Sequence, residues 1–362
     1  MAFLLGCGAA IQAQGIPPEL REFLKANAHF SEAELRELAA GKPVAKILET
    51  QSSKEVAGVG AIRIHVPREF FLSESEDIVW YKKEQVKPAP EIGKFSTPPV
   101  LADLDGLSLQ PEDVESLHNC RPGDCGLKLP AEAITRIRDG MRGSERGSKE
   151  SVNRLFREFL LARVQNYLQS GDAGLAAYDD KGSPVSLVSG FRQLLGQLPF
   201  LSRHAPQLTK CLDRFPQCDP EVKSFLYWSK EKFRRGLQPV ISVTQVMIVH
   251  EGTSAGGWTW EASKQLYANH YMECSLGITL LVAANGEQNK PAFYFVYLNR
   301  SRSDVLGGVT ASLVRSFVQG GVNDAMIDRL QRVRKQMESR WAARSSAQVS
   351  AAPTLQGGRV PK

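Results

Sequence analysis

From Pro239 to Glu338 the hydrophobic pattern predicts four consecutive strands and then one long amphipathic helix. Val240–Val249 alternates: Ile241, Val243, Met247 and Val249 share one face, and Ser242, Thr244 and His250 the other. Its β-branched enrichment favours a strand over a helix. A glycine-rich turn, Gly252–Gly257, ends it, and Trp258 opens a second strand running to about His270. Leu276–Ala284 is the third, closed by the Asn285-Gly286 turn signal, and Ala292–Asn299 the fourth. In the fourth both faces are apolar, with Phe293, Phe295 and Tyr297 on one and Tyr294, Val296 and Leu298 on the other. A sheet of that kind is covered on both sides, or covered once and hollow on the other. Leu306, Val309, Leu313, Phe317, Met326, Leu330, Val333 and Met337 then line one face of a helix, with Asp304 as its N-cap. Gly320-Gly321 is expected to kink or divide it. The stripe fits either a core-packing helix or a lid over a ligand cavity.

Upstream, Pro17–Ala28 and Ser31–Ala40 read as short helices, the second opened by a capping box between Ser31 and Glu34. Val44–Glu49 and Glu55–Val66 read as a hairpin-like pair, and Pro88–Pro99 as extended chain. Helical patterns follow at Pro111–Leu117, Pro130–Asp139, Ser151–Gln169, Leu187–Leu198, Gln207–Phe215 and Glu221–Phe233. Strands, helices, strands and a last helix make the expected class α+β: an antiparallel sheet, a helical middle segment and a long C-terminal amphipathic helix. The divisions expected are a signal-like segment at 1–14, an α+β region at 15–139, a linker at 140–148, the helical segment with sheet and closing helix at 149–340, and a disordered basic tail at 341–362.

Charge and cysteines change the picture in two ways. The net charge of +6 is concentrated: from Arg329 to Lys362 there are eight basic residues and one acidic, so the body is nearly neutral. That distribution argues against a dedicated nucleic-acid-binding domain. Ala2–Ala13 carries no charge and ends in small residues, which resembles a signal-peptide hydrophobic region. Two cleavage readings compete: a lipobox at Leu4-Leu5-Gly6-Cys7 with Cys7 lipidated, or cleavage after Ala13 to release a periplasmic or secreted protein. Either the lipid or the basic tail would give peripheral membrane contact. In an oxidising compartment Cys120 with Cys125, and Cys211 with Cys218, are expected as two local disulfides, leaving Cys274 as a buried strand residue.

Recognisable catalytic chemistry is sparse. Gly252-Thr253-Ser254-Ala255-Gly256 matches the serine-hydrolase elbow, but a return strand follows where the elbow needs a helix. A glycine-rich hairpin turn is the better account, with Ser254 kept as the alternative nucleophile. No cofactor or metal set is expected; His250-Glu251 lacks a second His, and a strand would separate His270 from Glu273. Lys264–Glu273 is unusually polar, placing Gln265, Tyr267, Asn269 and Tyr271 on one strand face. That row fits either a ligand-recognising surface or an exposed edge. Phe295, Tyr297 and Phe317 are the apolar candidates for the same ligand.

The order of Val240–Val249, Leu276–Ala284, Ala292–Asn299 and the helix from about Leu306 to Met337 resembles the START-like, or helix-grip, superfamily. The resemblance covers about half of the chain and carries over no functional residues. It implies a curved antiparallel sheet wrapped about a C-terminal helix, enclosing an apolar cavity. The turn-rich, cysteine-bearing N-terminal region and the longer helical middle depart from that pattern. Together these features set the expectation of a non-catalytic, exported protein binding an apolar or amphiphilic small molecule, lipid included. The alternatives are a ligand-free envelope scaffold or a hydrolase using Ser254.

Overall fold

A computed structural model describes residues 15–86, 88–142, 148–232, 237–252, 257–285, 290–306 and 311–350. Eight strands form one antiparallel sheet: β1 Val44–Leu48, β2 Glu55–Ile64, β3 Glu91–Lys94, β4 Lys223–Glu231, β5 Val240–Glu251, β6 Trp258–Ala268, β7 Met272–Asn285 and β8 Pro291–Ser303. Their order across the sheet is β1-β2-β8-β7-β6-β5-β4-β3. The helices are α1 Pro18–Ala28, α2 Glu32–Ala39, α3 Arg68–Ser75, α4 Ile78–Gln85, α5 Pro111–Asn119, α6 Ala131–Gly140, α7 Lys149–Ser170, α8 Leu187–Gly196, α9 Phe200–His204, α10 Pro206–Arg214 and α11 Ala311–Ser350. The α+β architecture with a helical middle and a long C-terminal helix is therefore as the sequence predicts. Strands from both sides of segment 140–148 join the same sheet, so that segment does not separate two sheets.

Both faces of the sheet are covered. Ile241, Val243, Met247 and Val249 of β5, with Tyr294, Val296 and Leu298 of β8, pack against α1, α2 and the helices between 111 and 214. The longest of these, α7, buries Val152, Phe156, Leu160, Val164 and Tyr167, and the Tyr167 hydroxyl donates to Gln245 Oε1 at 2.5 Å. The opposite face, which carries Phe293 and Phe295, packs against α3, α4 and α11. Two short helices thus do work that the hydrophobic periodicity did not announce. The capping box of α2 is present, with Ser31 N–H donating to Glu34 Oε2 at 2.7 Å.

Three expectations are corrected. Glu221–Phe233 is not a helix; Lys223–Glu231 is strand β4, paired with β5 from Lys223↔Ile248 to Glu231↔Val240. Four consecutive apolar residues, Phe225–Trp228, give no period of their own, and the sheet decides by burying Leu226 and Trp228 on one side and Tyr227 on the other. Asp304 does not cap α11: it opens a short 3-10 turn, Asp304–Leu306, and its carboxylate pairs with Lys128 and Lys181. Finally, α11 runs unbroken through Gly320-Gly321 and on to Ser350, so the boundary drawn at 341 falls inside it. Residues 1–14, with Cys7, and 351–362 lie outside the described residues.

The seat of α11 is specified by one glycine. A Cβ on Gly60 of β2 would lie 2.9 Å from Leu330 Cδ1 and 3.0 Å from Met326 Cγ, so the helix rests directly on that backbone. Gly60→Val is expected to lower stability by about 1–3 kcal/mol through overpacking. Urea unfolding monitored by circular dichroism checks this; a variant as stable as the parent would show that α11 docks elsewhere.

Candidate ligand-binding site

The α11 face of the sheet changes character along its strands. At one end Ile62 and Ile64 of β2, Val246 and Ile248 of β5, Leu281 of β7, and Phe293 and Phe295 of β8 are buried. Phe71 of α3, Ile78 of α4, and Leu330, Val333 and Met337 of α11 fill that end solidly. Phe71, for example, lies 5.5 Å from Phe295, ring to ring, in an edge-on contact. At the other end the same strand faces carry Ser242, Thr244, Ser263, Gln265, Ser275 and Ser301, and here a cavity of about 320 Å³ opens. Its other walls come from Lys82 of α4, Tyr227 and Glu231 of β4, and Ala325, Met326 and Arg329 of α11.

The register explains the floor. Pairing of Ser275 with Ser301 and Gly277 with Asn299 sets polar side chains next to one another. They close a ring of hydrogen bonds: Asn299 Nδ2 donates to Ser275 Oγ at 3.1 Å, Ser301 Oγ donates to Asn299 Oδ1 at 2.6 Å, and the two hydroxyls lie 2.7 Å apart. Gly277 leaves room for Tyr297, whose hydroxyl would be 3.2 Å from a Cβ there.

Charged groups line the walls. Lys82 Nζ lies 2.9 Å from Glu231 Oε1, both side chains nearly buried, and Ser229 Oγ donates to the same oxygen at 2.8 Å. Burial pulls the Lys82 pKa down, but the charge and hydrogen bond of Glu231 together with Tyr227 outweigh it and push the amine up to about 12. Burial likewise pushes Glu231 up, and the Lys82 charge and hydrogen bond more than reverse that, leaving the carboxyl below its ordinary value. The Arg329 guanidinium sits over the Tyr297 ring, 4.4 Å from its centroid, and its Nε has no hydrogen-bond partner. Gln265 Oε1 is also buried without one. Glu261, two residues before Ser263 on the same strand face, lies just outside the cavity lining and is only partly buried. Enclosure nevertheless pushes its carboxyl up to about 7, against the opposing pull of Arg329, Ser263 and Lys82.

Of the residues singled out in the sequence, Gln265 and Tyr297 line this cavity. Phe295 belongs to the packed apolar end instead. Tyr267 faces the opposite side, against Phe159 at 5.4 Å, because a bulge intervenes: Thr244 pairs with Gln265 but Val243 with Tyr267, so Leu266 is an extra residue that reverses the parity. Asn269 and Tyr271 lie past the end of β6. Asn269 Oδ1 accepts from Ile241 N–H at 2.7 Å, and the Tyr271 hydroxyl accepts from Gln238 N–H at 3.0 Å, so both brace chain reversals. The expected single row of four is thus broken. His270 pairs with Asp113 at 2.8 Å in the outer layer. The side chain of Phe317, and Ser254 with its loop 253–256, lie outside the described residues. Lys82, Glu231, Glu261 and Arg329 carried no local motif; they come together from four elements, α4, β4, β6 and α11.

The expected disulfides Cys120–Cys125 and Cys211–Cys218 are formed, and Cys274 is buried, its thiol pushed up to about 12 by burial. A wider groove of about 690 Å³ lies across α1, α9 and the β5–β6 end, where His204 stacks on Trp258. None of its described lining residues carries a buried polar atom without a partner, whereas the sheet–α11 cavity has two. The cavity is the stronger candidate on that ground.

The chain matches no protein-family model and no curated protein. Among solved structures it is similar to the ZhuI aromatase/cyclase from Streptomyces sp. R1128, at 13% identity and a TM-score of 0.24, over 44% of this chain and 88% of that one. A likeness at that level of identity and TM-score is distant, and it says nothing about what this chain binds.

Proposed function

We propose that this chain is an exported binding protein whose ligand, a small amphiphilic molecule, occupies the cavity between the polar half of the sheet and α11. The observation that carries this reading is the pair of buried, unpartnered polar atoms, Gln265 Oε1 and Arg329 Nε, on two residues that line one half-open cavity. An unmet buried hydrogen-bonding group costs about 1–3 kcal/mol, and a ligand supplying both partners would recover it. The serine, threonine, glutamine and asparagine lining tells against a purely apolar ligand or a lipid tail filling this space. The apolar end where a tail would lie is already packed. The volume sits at the low end of small-molecule sites, roughly 300–1,000 Å³, which sets a modest ligand size. Two disulfides support an oxidising compartment. Among the described residues the exposed large hydrophobics are Val100 and Leu237, so nothing specific favours a scaffold with an apolar docking patch.

Native mass spectrometry of the protein purified from a bacterial envelope, followed by organic extraction, tests the reading. The expected result is a stoichiometric adduct that is lost on denaturation and carries polar functional groups. A clean apo mass from that source would argue against a resident ligand.

A further inference from the structure

Resting on that reading, we infer that the polar end of the ligand is a carboxylate, received by Arg329. The geometry is that of a guanidinium already held in place but not neutralised. Its carbon lies 4.4 Å from the Tyr297 ring centroid, its Nε has no hydrogen-bond partner, and no ion pair joins it to a carboxylate among the described residues. The other cation of the cavity, Lys82, is paired with Glu231 at 2.9 Å. Glu261 is close enough to feel Arg329, yet burial keeps it largely protonated up to about pH 7, so it leaves the guanidinium available. A guanidinium offers two parallel donors to a carboxylate, a match that neither an amide nor an alcohol supplies. Across the cavity, the free Gln265 Oε1 is an acceptor and therefore calls for a hydroxyl or N–H on the ligand body.

The same site makes binding proton-linked. Facing Glu261 are Arg329 from α11 and Lys82 and Tyr81 from α4, with neutral Ser263 on its own strand and Ile248 and Thr279 on the flanking strands. Glu231 and Tyr227 lie beyond Lys82. Ionising Glu261 places a second anion beside the guanidinium that the ligand needs. Carboxylate affinity therefore falls as Glu261 ionises.

The test uses the full chain with 3-phenyllactate, 4-hydroxycinnamate and octanoate, each paired with its primary amide, by ligand-observed NMR and titration calorimetry. The acids should bind at least about tenfold more tightly than the amides, a preference that Arg329→Gln removes. Glu261→Gln should abolish the fall in acid affinity between about pH 6 and about pH 8. Gln265→Leu should weaken phenyllactate but not octanoate, an arm that stands even where Arg329→Gln fails to fold. Acids and amides binding alike, unaffected at Arg329, would overturn the carboxylate inference while leaving the cavity reading intact. No binding by either set, in a protein that also carries no adduct, would remove the cavity reading and this inference with it.

Discussion

Replacing Lys82 with methionine is expected to cost the fold about 3–5 kcal/mol at neutral pH, the range for removing one partner of a buried ion pair. The substitution strands Glu231, which is 8% exposed and keeps the Ser229 hydroxyl as a hydrogen-bond donor once Lys82 is gone. Methionine keeps most of the packing volume, so the loss reports charge and not a void. The pH dependence gives the diagnostic. Glu231 has a lowered pKa in the folded chain, so its contribution is present above its unfolded value near 4.5 and lost as pH falls through the folded value. Lys82 is raised to about 12, so its contribution is present below 10.5 and lost as pH rises through 12. The pair therefore stabilises between those limits, and Lys82→Met should be least damaging in acid, where Glu231 can take up a proton. Adding Glu231→Gln to Lys82→Met should recover much of the loss, because the stranded charge is gone. Urea unfolding of both variants measures this. A single variant within 1 kcal/mol of the parent at neutral pH, about the value of an exposed pair, would mean that water reaches Glu231 freely.

The sheet and its closing helix could be read from the sequence because their signals are local. Alternation in Val240–Val249 and the doubly apolar Ala292–Asn299 specify strands and faces without any distant information, and the structure places those faces as expected. What the cavity needed was a comparison between strands. Ser242 and Thr244 precede Val246 and Ile248 on one face of β5, Ser275 and Gly277 precede Leu281 on β7, and Phe293 and Phe295 precede Asn299 and Ser301 on β8. Antiparallel pairing brings all the polar ends together, so a shared switch from polar to apolar along one parity was the available signal. Tyr267 escaped because a bulge changes parity after Gln265, and nothing in the residues Gln265–Tyr267 marks that extra position. Lys82, Glu231 and Arg329 escaped for a different reason. Each looks like an ordinary surface charge in its own helix or strand, and only the packing of α4 and α11 over β4 takes them out of water.

The remaining charge of the cavity should be visible as an unusual pH–stability profile. Glu261 has its carboxyl raised from 4.5 to about 7 by enclosure, the reverse of Glu231. The folded state then holds a proton that the unfolded chain has released between those two values, so stability falls as pH rises across that window. The contribution is complete below about 4.5 and lost above about 7. At about 1.4 kcal/mol per unit, the full swing is on the order of 3 kcal/mol, reduced by whatever solvent reaches the side chain through the cavity. Glu261→Gln keeps the size and hydrogen-bonding reach of the neutral acid and cannot ionise. It is therefore expected to match the parent near pH 4.5 and to be more stable than it by about 1–3 kcal/mol at pH 8. Thermal unfolding of both proteins from acid to mild alkali, with and without a bound carboxylate, gives the comparison. Parallel profiles would show that Glu261 titrates as an ordinary surface carboxyl, and the proton linkage assigned to the cavity would fall with it. A parent that loses stability through neutrality while the variant does not would show that this chain keeps a costly ionisable group close to the Arg329 guanidinium, the arrangement expected where an anionic ligand is received.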